Sequence, residues 1–150
     1  MYQRLSDALR EPGPAAWQHG AVSRFRVDRV CGAAAVVTDG AGDIVIERCF
    51  VADRRLARLV GLLGTPDLAD GEGLWLEPCS SVHTAGMRIP IACAFLDGDG
   101  RVLRVVDPLP PWRHAAVRGA RAVLETRAGL LSGVGLGTTF ARQSRGENPA

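Results

Sequence analysis

The sequence predicts a mainly β domain, α+β at the margin: an antiparallel sandwich or barrel with one amphipathic helix packed on it. Three observations predict this. Short apolar or β-branched runs recur along the chain, six to eight of them, most bounded by Gly, Asp or Pro. One stretch alone carries strong helical spacing of apolar residues. No βαβ spacing repeats, which argues against a doubly wound parallel sheet. The 150 residues fit one domain. A domain of that length buries about 70% of its unfolded surface and needs no covalent staples. Aromatic residues make up 5% of the chain, so the core must rest on Val, Leu, Ile and Ala.

The elements follow in chain order. A short helix over residues 3–10 is stopped by Pro12-Gly13-Pro14, and residues 1–20 read as a loosely ordered arm. Residues 33–38 and 44–49 form a predicted hairpin around Asp39-Gly40-Ala41-Gly42. Along its second strand Ile44, Ile46 and Arg48 share one face. Asp53 then caps the predicted helix. Leu56, Leu59, Val60 and Leu63 make its apolar stripe, and Gly64 and Pro66 end it.

Beyond the helix, Asp70-Gly71-Glu72-Gly73 turns the chain into a strand at 74–76, and 81–85 reads as another. Residues 90–97 are apolar on both faces, as in an interior strand. Asp97-Gly98-Asp99-Gly100 connects them to a strand at 102–106. Residues 108–119 read as a loop, 120–125 as a strand, and 138–141 as a last short strand after a glycine-rich stretch. The globular domain therefore spans 21–142, and the polar residues 143–150 read as a disordered tail.

Charge and composition exclude several functions. The formal net charge is +2 and no run of five like charges occurs, so nucleic acid is not an expected partner. Every basic residue is Arg, which removes Schiff-base catalysis, a phosphate-loop lysine and Ser-Lys dyads. The N-terminal residues lack the apolar run of a signal peptide, and no stretch matches a membrane span, so a cytoplasmic chain with no membrane partner is expected. Cys31, Cys49, Cys79 and Cys93 are then expected as reduced thiols. None of them makes a C-x-x-C pair for zinc or dithiol chemistry.

Leu59 and Gly61, Gly73-Leu74-Trp75, Ser81-Val82-His83-Thr84, Gly86-Met87-Arg88-Ile89-Pro90, Phe95-Leu96-Asp97 with Gly100-Arg101-Val102, and Val123-Leu124-Glu125 followed by Gly129 stand in an order and spacing that carries a resemblance. Over about 56–140 the chain resembles the domain of unknown function 192 family of small, uncharacterised prokaryotic proteins. The resemblance implies a mainly β, jelly-roll-like fold and no established activity. The chain departs from the commoner family pattern Trp-Met-Lys-Asn-Thr, having His83-Thr84-Ala85-Gly86-Met87 in its place. It also has Ala92 where many members have Asp. A site built on that Lys, Asn or Asp is absent.

Chemistry-bearing residues cluster in two places. Cys79, His83 and Met87 stand four apart and offer thiolate, imidazole and thioether, a set suited to copper. In an extended strand such positions lie about 13 Å from one another, so a bend is needed before they share an ion. Cys79 with His83 also suggests a thiolate–imidazole pair for nucleophilic catalysis, and Ser80 or Ser81 with His83 and Glu125 a hydrolase-like triad. Packing sulfurs and a hydrogen-bonded rim histidine are the plainer account. Asp97-Gly98-Asp99-Gly100 has Pro108 where a calcium loop needs its closing Glu, so it reads as a hairpin turn. Glu125, among apolar neighbours, is expected to pair with an arginine such as Arg88 or Arg104. Trp112, between Pro111 and Arg113, either anchors a partner or closes one end of the fold.

The leading reading is a non-enzymatic binding or accessory domain with no cofactor, acting on an unknown protein or small-molecule partner. Its expected rim is His83, Thr84, Met87, Arg88, Trp112 and Arg113. The alternative is a small metal-binding protein or thiol-dependent enzyme centred on Cys79 and His83.

Overall fold

In a computed structural model of the chain, residues 34–52, 62 and 67–144 are described. Among these residues nine strands form where apolar runs meet turn residues: β1 (Ala34–Asp39), β2 (Ile44–Ala52), β3 (Glu72–Leu76), β4 (Ser81–His83), β5 (Ile91–Leu96), β6 (Val102–Leu109), β7 (His114–Ala116), β8 (Ala122–Arg127) and β9 (Phe140–Ser144). Two turns show how locally these hairpins are specified. Asp39 Oδ1 accepts the amides of Ala41 and Asp43 at 2.9 and 3.0 Å, closing the β1–β2 turn. Asp97 Oδ1 does the same for Asp99 and Arg101, both at 2.9 Å, between β5 and β6. A short carboxylate that bonds its own downstream backbone favours a turn over continued strand.

Seven strands make one sheet in the order β6-β5-β8-β3-β2-β1-β9, and β4 and β7 make a separate two-stranded ribbon. The pairs are antiparallel except β2–β3, which runs parallel from Arg48↔Glu72 to Ala52↔Leu76. This corrects the all-antiparallel expectation. Parallel neighbours need a long crossover, commonly helical, and the predicted helix falls in the 53–71 connection. That helix and the 1–20 arm lie outside the described residues, but Leu62 is described and buried in the core. A second correction concerns β7, which occupies part of the stretch expected as loop. A third is that β9 runs through Gln143 to Ser144, inside the expected tail; residues 145–150 lie outside the described residues.

The two edges of the long sheet approach each other without closing a barrel. One bridge joins Arg101 to Thr139, flanked by the Val102 amide on the Thr138 carbonyl and the Phe140 amide on the Gly100 carbonyl, both at 2.8 Å. Gly100 sits at φ +80°, and a Cβ there would overlap the Phe140 carbonyl oxygen. Only glycine suits a site that demands both a left-handed backbone and so close an approach.

Strand alternation gives the sheet two apolar faces. On β5, Ile91, Cys93 and Phe95 join one core with Phe50, Leu74, Leu76 and Val123. Ala92, Ala94 and Leu96 join the other with Trp75, Leu124 and Phe140. The ribbon contributes Val82 and Ala115 to the first core, alongside Met87, Leu62 and Leu68. Burying side chains such as Val82 and Met87 stabilises the fold by about 1.5–3 kcal/mol each, which helps hold the ribbon on the sheet. Among the described residues no helix is long and apolar enough to cross a membrane.

Candidate functional site

The ribbon pairs Ser81 with Ala116, Val82 with Ala115 and His83 with His114. Its middle pair points into the core, so Ser81, His83, His114 and Ala116 lie on the outer face. Just beyond β4, Thr84 is wholly buried at 0% exposure. Its amide donates to the Arg113 carbonyl at 2.8 Å, and its carbonyl accepts the amides of Trp112 at 3.0 Å and Met87 at 3.1 Å. Its hydroxyl donates to the Pro110 carbonyl at 2.6 Å and accepts the Arg113 amide at 2.8 Å. One threonine therefore ties the 81–88 segment to the 108–113 segment.

The residue held by this clamp is unusual. Trp112 has φ +59° and is the only described non-glycine residue with positive φ. Bulky side chains rarely occupy the left-handed region, where the Cβ crowds the following carbonyl. Its indole is nevertheless 69% exposed. The strain is thus offset by backbone hydrogen bonds and not by burial of the ring. Arg113 Nη1 donates to the Trp112 carbonyl at 3.1 Å and steadies the same corner.

Of the expected rim, His83, Arg88, Trp112 and Arg113 are exposed. Thr84 and Met87 are corrected: both are buried, Met87 at 7%, and they support the rim from below. The structure parts the sulfur–imidazole set. Cys79 is half-buried against the first core, with Sγ donating to the Ser81 carbonyl at 3.1 Å, and Met87 belongs to that core. His83 is on the ribbon's outer face. Among the described residues no group of three or more His, Cys, Asp or Glu side chains is placed to hold a metal ion. A triad through Glu125 meets the same obstacle, since Glu125 lies inside the fold.

Glu125 itself departs from expectation. On β8 it pairs with Cys93 of β5 and Leu74 of β3, which places its side chain on the face of the first core. It is 4% exposed and among the described residues has no arginine partner: Arg88 and Arg104 are both exposed, and Oε2 has no hydrogen-bond partner there. Desolvation pushes its carboxyl up to about 8. Burial, then the nearby Glu125, Asp107 and Cys79, pushes the Cys93 thiol up as well, which keeps it protonated and unreactive. Asp107 is committed elsewhere, accepting the amides of Gly129 at 2.7 Å and Leu131 at 2.9 Å. The sequence signal for Glu125 was an acid inside an apolar strand. Thr84 gave no such signal, because its side-chain partners stand 26 and 29 residues away.

The family model DUF192, described as an uncharacterized ACR, matches residues 36–140. The chain belongs to the DUF192 family. Two solved structures resemble this DUF192 chain. One, from Novosphingobium aromaticivorans, is described as a protein of unknown function; it is 24% identical, with 72% of this chain and 83% of that chain covered at a TM-score of 0.63. The other, from Sinorhizobium meliloti, is described as "a putative transcription regulator"; it is 19% identical, with 75% and 96% covered at a TM-score of 0.68. At these identities the likeness shows a shared fold alone. No curated protein matches the DUF192 chain.

Proposed function

We propose that this DUF192 domain is a non-enzymatic binding or accessory module that engages its partner through the Trp112 corner and the outer face of the β4–β7 ribbon. The observation that carries the reading is an exposed indole on a left-handed backbone, fixed by a buried threonine. Strained backbone persists where the surrounding structure over-determines it, and such places concentrate at ligand clamps. A rigidly presented Trp offers a partner a large contact area at little ordering cost.

The test compares wild type with Trp112→Ala, using a partner first captured and identified with the wild-type chain. The substitution leaves the melting temperature nearly unchanged and abolishes capture of that partner. A large loss of stability would make Trp112 a structural closure and remove the reading.

A further inference from the structure

We propose that the partner surface recognised by this ribbon is an acidic segment of another protein, an inference that rests on the binding reading above. Charge is segregated on the chain in a way the net value of +2 conceals. Residues 78–96 and 108–124 contain no Asp or Glu, although the chain carries 16 acidic residues. Those two stretches supply Arg88, Arg113, Arg118 and Arg121 together with His83 and His114, and all six are exposed.

The ribbon brings these stretches side by side, with His83 directly opposite His114. Among the described residues the ion pairs are Arg127–Asp70 and Arg142–Glu77, and neither involves Arg88, Arg113, Arg118 or Arg121. Arg113 adjoins the exposed Trp112 in sequence, and exposed guanidinium groups on the segments flanking the ribbon favour carboxylates, which they grip with paired N–H donors, beside an apolar anchor. Nucleic acid fits less well. Phosphate-backbone binding draws on many aligned cations, whereas this chain has a small net charge and no basic run. Among the described residues each ribbon strand pairs only with the other, so an extended peptide also matches the scale of the surface.

The probe is a fluorescein-labelled peptide of glutamates around one phenylalanine, compared with its lysine counterpart and with a single-stranded oligonucleotide of equal charge. Anisotropy is read at low and high salt. The acidic peptide binds, the lysine peptide does not, and affinity falls as salt rises. Combining Arg88→Glu, Arg113→Glu and Arg118→Glu weakens binding at least about tenfold, while Arg101→Glu with Arg104→Glu, at exposed positions just before and within β6, leaves it intact. Should the triple variant fail to fold, Arg88→Gln with Arg118→Gln gives the same comparison. Tighter binding of the oligonucleotide, or an acidic peptide indifferent to these substitutions, overturns the acidic-partner proposal. If at the same time Trp112→Ala still abolishes capture of the natural partner, the binding reading survives and only the partner class falls.

Discussion

The amide of Trp112 donates to the carbonyl of Thr84 at 3.0 Å, and this bond holds an exposed indole in a backbone conformation that its own side chain opposes. Thr84 lies just after β4 and Trp112 just before β7, so pairing of those two strands is what brings the bond within reach. The clamp, the ribbon and the presentation of Trp112 form one mechanical unit.

Thr84→Val keeps the shape of the side chain and removes its hydroxyl. The Arg113 amide and the Pro110 carbonyl then lose a buried partner, while the two backbone bonds to residues 112 and 113 remain. The expected cost is about 1–3 kcal/mol, the range for leaving buried polar groups unpaired. Denaturant unfolding measures it, and a loss of partner affinity should accompany it.

Glu125 makes stability depend on pH. Burial pushes its folded carboxyl up to about 8 from its ordinary value of 4.5. Between those values the folded chain holds a proton that the unfolded chain has released. Stability therefore falls as pH rises through that window and levels off above it. Glu125→Gln should abolish this slope and be more stable than wild type above the window by at least about 1 kcal/mol. Urea titrations across the window check both statements, and an unchanged slope in the variant would contradict them.

Gly100→Ala forces a side chain into the Phe140 carbonyl at a position of φ +80°. The left-handed conformation alone costs a non-glycine residue about 1–2 kcal/mol, and the overlap adds to it. The loss should concentrate where the edges of the long sheet meet, so amides around 100–102 and 138–140 should exchange faster than those of β5 and β8.

The parts of the fold legible in the sequence were those specified by neighbours along the chain. The Asp39 and Asp97 turns could be read because each carboxylate bonds amides two and four residues on. Strand β5 could be read because both its faces are apolar and buried. The parallel β2–β3 pair was not legible, since its register comes from a crossover and no turn announces it. Nor was β7, whose His-Ala-Ala sequence has no strand pattern and extends because β4 pairs with it. At the site, Trp112 and Arg113 stood out by composition. The roles of Thr84 and Glu125 depend on partners far away in sequence, and on whether a neighbouring arginine turns inward or outward.

The central claim is that the clamp, and not burial of the ring, holds Trp112 in place. Trp112→Gly tests it most directly, because glycine adopts the left-handed backbone without strain and carries no indole. Thermal unfolding together with binding to the captured partner gives the answer. A melting temperature equal to or above wild type, with partner binding lost, is the predicted result. A marked drop in melting temperature would show that the indole stabilises the fold and would contradict the account.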